Sequence, residues 1–152
     1  METLEKKITR GAEFIIKQTD CKDVFTPEDF TDEQKMMKEA VHDFAEKEIW
    51  SKKSEFEKHN YDLTFDVIKK AGELGFLGIG VPEEYGGLGM SFTSSMLVCD
   101  YISGSSGSTS TAYGAHTGIG TFPILLYGNE EQKKKYVPKL ASGEHIGAYC
   151  LT

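Results

Sequence analysis

The sequence predicts an all-α fold, an antiparallel helical bundle with a short terminal β-strand, and three observations carry that expectation. Apolar residues recur at three- and four-residue steps in successive segments, as one face of an α-helix requires. Capping residues and glycines bracket those segments. Only the stretch 145–152 has β-favouring character, through Ile146, Ala148, Tyr149, Cys150 and Leu151.

Size and composition suit one such domain. A chain of 152 residues can bury a core, and 39% hydrophobic with 27% charged residues is ordinary for a globular protein. The net charge of −7 offers no basic field for a phosphate backbone, so nucleic acid is not an expected partner. Met1-Glu-Thr-Leu-Glu5 lacks the basic and apolar regions of a secretory signal. The longest apolar run, Phe122 to Tyr127, falls far short of the ~20 residues of a membrane span, so no transmembrane segment and a cytoplasmic location are expected. Cys21, Cys99 and Cys150 have no CxxC spacing and read as reduced, buried thiols.

Residues 2–18, with Leu4, Ile8, Phe14, Ile15 and Ile16, fit a first helix despite Gly11, and Asp20 to Asp29 forms a connector. Thr31 with Gln34 makes a capping box, because the threonine hydroxyl satisfies the N3 amide while the glutamine reaches back. Behind it Met37, Val41, Phe44, Ala45 and Ile49 stripe a helix to about Trp50. The charge-dense run from Glu46 to Lys58 reads as a solvated face or fraying end.

Thr64 is expected to cap a helix striped by Phe65, Ile68, Ala71 and Leu74 and stopped by Gly75. From Gly75 to Met90 the chain is too rich in glycine for regular structure and too apolar for a flexible linker, so it should be a packed loop. A further helix spans Ser91 to Ser103, with Phe92, Met96, Cys99 and Ile102 on its inner face, followed by a small-residue turn to Ser108. Thr109 to Gly120 has helical length but carries Gly114, Gly118 and Gly120, each costing about 1 kcal/mol against alanine. Something must approach that backbone closely: a packed neighbour or a ligand. Phe122 to Tyr127 forms a short helix with Pro123 in its first turn, and Asn129 caps another that Pro138 breaks or kinks.

Chemical motifs are sparse. The Gly78 to Gly89 loop does not sit between strand and helix in GxGxxG form. His42, His59, His116 and His145 lack metal-ligand spacing, so no metal site is expected. His116, among small residues, reads as a buried imidazole bonded to backbone, and Glu83 and Glu84 as structural or solvated carboxylates. By themselves these residues give an all-helical domain with one unusually open helix and do not name a reaction.

Four segments supply what composition cannot. Gly72-Glu-Leu-Gly-Phe-Leu-Gly78, Val81-Pro-Glu-Glu-Tyr-Gly-Gly-Leu-Gly-Met90, Gly128-Asn-Glu-Glu-Gln-Lys-Lys-Lys-Tyr136 and Pro138-Lys-Leu-Ala-Ser-Gly-Glu144 resemble the acyl-CoA dehydrogenase family, in its order and spacing. The resemblance covers Phe25 to Thr152, and Ala148-Tyr-Cys-Leu-Thr152 is similar to the opening of the family's flavin-binding strand. It implies residues 1–30 as an N-terminal helix and connector, 31–144 as the family's amino-terminal helical domain, and 145–152 as the start of a truncated middle β-domain.

The resemblance also implies function. Such enzymes remove the α-proton of an acyl-CoA thioester with a glutamate base while the β-hydrogen leaves as hydride to FAD, giving a trans-2-enoyl-CoA in fatty acid β-oxidation. The base lies in the family's carboxy-terminal domain, so no catalytic residue is assigned here, and the fragment alone is expected to be inactive. Tyr149, Leu151 and Thr152 match residues lying against the flavin ring, with Thr152 a hydrogen-bond donor. Thr111, Ala112, Ala115 and Ile119 match the helix lining the inner end of the acyl pocket. The small Ala115, with Gly114 beside it, and the run Gly114-Ala-His-Thr-Gly-Ile-Gly120 resemble the long-chain and very-long-chain branch, so long acyl chains are the expected substrate and Ala115→Glu should shorten the preferred chain. Electron-transfer flavoprotein is the implied partner and a homo-oligomer the implied full-length assembly. The alternatives are a non-catalytic helical interaction module, or an acyl-CoA oxidase of the same superfamily.

Overall fold

A computed structural model describes residues 9 and 11–151, and the chain divides into two compact units, Met1–Lys35 and Met36–Thr152. In the first unit, helix α1 is only Glu13–Ile16, with Phe14, Ile15 and Ile16 exposed. The longer helix expected over residues 2–18 is therefore not present in the described part, and Leu4 and Ile8 lie outside it. Gly11 sits at φ +58°, and one turn with no buried apolar face cannot propagate. Two 3₁₀ turns follow, Cys21–Asp23 and Pro27–Asp29, and the rings of Phe25 and Phe30, which flank the second, pair at 5.6 Å.

The Thr31 capping box forms as expected: the Thr31 amide donates to Gln34 Oε1 at 3.0 Å and the Gln34 amide donates to Thr31 Oγ1 at 3.2 Å. Helix α2, Asp32–Phe44, runs on through a π-helical turn at Ala45–Ile49 and a 3₁₀ turn at Trp50–Lys52 into α3, Lys53–Glu57. Val41, Phe44, Ala45 and Ile49 are buried, as the stripe requires. The charged run does not fray: Phe56 is a core residue, and Glu48 accepts from both Lys52 and Lys70 at 2.7 Å.

Helix α4, which like α3 and most of α2 lies in the second unit, is Tyr61–Glu73, and its cap is Asn60, whose Oδ1 accepts from the Leu63 amide at 3.2 Å. Thr64 instead sits inside the helix and donates back to the Asn60 carbonyl at 3.2 Å. The buried face is accordingly Val67, Ile68 and Ala71, while Phe65 and Leu74 are exposed. Gly75, at φ +80°, ends the helix as expected. The loop that follows is packed and bonded: the amides of Leu88 and Met90 donate to the carbonyls of Gly78 and Ile79 at 2.9 and 2.8 Å, over buried Phe76, Leu77, Ile79 and Val81.

Helix α5, Phe92–Ser105, buries Ser94, Leu97, Val98 and Ile102, whereas Phe92 and Met96 are exposed and Cys99 half-buried. The segment is apolar on two sides: of the face expected from periodicity, Ile102 is in the core with Cys99 packed against it, while Phe92 and Met96 fall outside it. The expected turn shrinks to the extended Ser106, after which α6, Gly107–Gly114, a π-helical segment, Ala115–Thr121, and α7, Phe122–Tyr127, follow without a break. Asn129 caps α8, Glu130–Ala141, in a capping box with Gln132, and the helix continues through Pro138 instead of breaking there. One core cluster joins Val41, Phe44, Ile49 and Phe56 to Ile68, Phe76, Val98, Ile102 and Tyr113; a smaller one joins Val81 and Tyr85 to Val137 and Ala141.

The described part is all-helical. Residues 145–151 form no strand, because a strand needs a partner to complete its ladder and none exists among the described residues. The three cysteines are free but not buried: Cys21 and Cys150 are exposed and Cys99 intermediate.

Candidate functional site

The site is organised by α6 and the π-helical segment that extends it. Tyr113, Gly114, Thr117, Gly118 and Thr121 face the Phe76–Val81 loop and the Ser95, Met96 and Cys99 side of α5, and together they line a cavity of about 170 Å³. Its two threonine hydroxyls are turned into the backbone: Thr117 Oγ1 donates to the Tyr113 carbonyl at 2.9 Å and Thr121 Oγ1 to the His116 carbonyl at 2.7 Å. The space that remains is apolar and comparable to one of ~150 Å³ that holds a benzene. A Cβ built on Gly114 or Gly118 meets nothing within 4 Å, so at these two glycines the close approach expected from the sequence is not made by packed protein.

Gly120 is different. There a Cβ would lie 2.7 Å from the carbonyl carbon of Gly147, so the segment after α8 is what presses on the helix. His116 fastens the same contact. Its ring is fully buried, with Nδ1 accepting from the Gly147 amide at 3.0 Å and Nε2 3.0 Å from the Leu140 carbonyl. Because an amide can only donate, Nδ1 is the acceptor and Nε2 carries the proton it gives to Leu140. Burial holds the imidazole below its ordinary pKa, opposed in part by the bond to Leu140.

Of the positions matched to the acyl pocket, none lines this cavity. Thr111 is exposed, Ala115 half-buried and Ile119 51% exposed, so four-residue steps place these three along one flank of the helix, turned from the cavity. Ala112 is partly buried against the core. The cavity is instead lined by Met96 and Cys99, which the sequence assigned to the inner face of α5, and by Tyr113, whose hydroxyl donates to the Phe76 carbonyl at 2.8 Å. The available signal was the spacing of Gly114 and Gly118, four residues apart and hence open on one side.

Of the flavin-matched positions, Tyr149 is 58% and Leu151 71% exposed, while Thr152 lies outside the described residues. The amides from Ala148 to Leu151 have no hydrogen-bond partner among the described residues. This stretch leaves two large side chains, two residues apart, and its backbone donors open. Among the described residues no three His, Cys, Asp or Glu side chains gather as a metal site, and no helix is long and apolar enough to cross a membrane.

Comparison with known proteins agrees with this geometry. Residues 31–144 match the family model described as the acyl-CoA dehydrogenase N-terminal domain. A probable acyl-CoA dehydrogenase of Bacillus subtilis (strain 168) is 48% identical over 145 residues, covering 95% of this chain and 24% of that protein. The mitochondrial isovaleryl-CoA dehydrogenase of Solanum tuberosum is 41% identical over 124 residues, covering 81% of the chain and 30% of that protein. The crystal structure of an acyl-CoA dehydrogenase complexed with FAD from Bacillus anthracis superposes with a TM-score of 0.82 at 45% identity, over 90% of this chain and 24% of that one. The chain thus spans a quarter to a third of the length of these relatives. It belongs to the acyl-CoA dehydrogenase N-terminal domain family.

Proposed function

We propose that the chain is the amino-terminal helical domain of an FAD-dependent acyl-CoA dehydrogenase that introduces a trans-2 double bond into acyl-CoA thioesters in fatty acid β-oxidation. Residues 31–144 form that domain and 145–152 lead into a middle β-domain. When bound, FAD supplies the hydride acceptor. The α-proton is taken by a base outside this chain, and electrons pass to an electron-transfer flavoprotein from a homo-oligomeric enzyme.

The residues here hold and orient. Tyr149, Leu151 and Thr152 form one wall of the flavin site, with the open amides and the Thr152 hydroxyl as donors. Thr111, Ala112, Ala115 and Ile119 form the inner wall along which the acyl chain runs. The Bacillus anthracis complex with FAD and the exposure of Tyr149 and Leu151 support the first assignment. The exposed flank of Thr111 and Ile119 supports the second, since apolar surface left open on a packed domain marks a binding or packing face.

Long acyl chains are the proposed substrates, and the single observation that carries this is the small side chain of half-buried Ala115, which with Gly114 beside it leaves room for a distal tail along the Thr111–Ile119 flank. Each methylene buried there is worth about 0.8 kcal/mol. The enzyme is tested by purifying the full-length polypeptide and assaying acyl-CoA dehydrogenation with an acceptor dye, under air and without oxygen. Flavin near stoichiometry and dye reduction without peroxide support the reading. Peroxide formed in place of dye reduction would make it an oxidase, and a flavin-free, inactive protein would leave a helical interaction module.

A further inference from the structure

We propose that His116 is a positioning residue for the flavin-facing segment: its Nδ1 holds the Gly147 amide while Gly120 seats the Gly147 backbone, and together they set the path on which Tyr149 and Leu151 stand. This rests on the reading that residues 149–152 face FAD. The ring makes no contact with solvent and lines no cavity described above, so it is not a proton-transfer group. What it does is mechanical.

The observations are independent of one another. The His116 ring bridges two elements, taking a bond from Gly147 and giving one to Leu140 in α8, both at 3.0 Å. Its own carbonyl is pinned by Thr121 Oγ1 at 2.7 Å, so the helix turn that carries the ring is tied as well. The backbones of Gly120 and Gly147 meet so closely that a Cβ on either would fall within 2.9 Å of the other's main chain. Upstream, the His145 amide donates to the Lys139 carbonyl at 2.9 Å. Beyond Gly147 no amide is held among the described residues, so Gly147 is the last fixed point of the segment. Tyr149 stands two residues past it, at most about 7 Å of chain. Releasing Gly147 therefore moves the lever on which the flavin-facing side chains sit.

Two substitutions in the full-length enzyme separate the two bonds. His116→Asn sets an amide oxygen where Nδ1 was, keeping an acceptor for Gly147 and losing the bond to Leu140. His116→Gln reaches the Nε2 position, keeping the bond to Leu140 and losing the acceptor for Gly147. The readouts are the flavin absorbance band and the separate kcat and KM for acyl-CoA. His116→Gln should shift the band and lower kcat roughly tenfold to a hundredfold, the scale of a 1 Å misplacement, with little change in KM. His116→Asn should recover the band and most of kcat even if its Tm falls.

Two variants that lose Tm alike, with native band and kcat, would reduce His116 to a packing residue and overturn the inference. An Asn variant with a displaced band and deficient kcat would overturn it too, and that arm decides the matter if His116→Gln does not fold. A wild-type enzyme that binds flavin while both variants behave alike refutes only the positioning role; a flavin-free wild-type enzyme refutes the functional reading and this inference with it.

Discussion

Gly120 and Gly147 touch backbone to backbone, with no room for a methyl group between them: a Cβ on Gly120 would lie 2.7 Å from Gly147 C and one on Gly147 2.9 Å from Gly120 Cα. Gly114, in the same helical run, faces open space. One stretch of sequence thus contains glycines retained for opposite physical reasons.

Alanine scanning distinguishes them. Gly120→Ala forces main-chain atoms apart and should cost about 1–3 kcal/mol, the range for overpacking. Gly114→Ala meets nothing and gains helix propensity, so it should be neutral or stabilising by up to about 1 kcal/mol. Denaturant unfolding with equal m-values reads both directly, and a reversal of the two signs would contradict the packing described.

The start of α4 offers a second test. Asn60 satisfies the Leu63 amide, whereas Thr64 only returns its hydroxyl to the Asn60 carbonyl. Asn60→Ala should therefore cost about 1 kcal/mol, a typical cap loss, and Thr64→Ala a few tenths. Equal losses in thermal unfolding would restore Thr64 as the cap.

These two cases show what was legible in the sequence. The capping boxes at Thr31 and Asn129 could be read because each box needs only residues three apart, and Gly75 could be read as a helix stop because a left-handed residue follows a completed stripe. Asn60 and Thr64 are both competent caps, and which one wins depends on whether Val67 or Phe65 is buried, a question tertiary packing answers. Likewise α5 is apolar on two sides, so Met96 and Cys99 could pass for core when they line the cavity. At the site, the openness of the helix was readable from Gly114 and Gly118. The bond from Gly147 to His116 was not, because it joins residues 31 positions apart through a turn whose direction α8 sets.

Titration gives a third expectation. Burial lowers the His116 pKa from its ordinary 6.5. Well above 6.5 the ring is neutral in both folded and unfolded chains and the bond to Gly147 stands at full strength. As pH falls below 6.5, the unfolded chain takes up a proton that the buried ring refuses, so stability declines across the window down to the lower folded value, by at most about 1.4 kcal/mol per pH unit. Comparing unfolding free energies of wild type and His116→Asn between pH 7 and pH 5 isolates this group; a variant whose slope equals that of wild type would show that His116 does not titrate in this way.

The long-chain reading is tested most directly by the ratio of kcat/KM for C16 and C8 acyl-CoA in the full-length enzyme, before and after Ala115→Leu. The wild-type enzyme should prefer C16. Filling the space beside Ala115 should displace about two methylenes, worth about 1.6 kcal/mol or roughly 15-fold, and lower the C16 to C8 ratio by that factor while C8 turnover is kept. A wild-type enzyme faster on C8, or a ratio that Ala115→Leu leaves unmoved, would show that no long acyl tail lies along this flank of the helix.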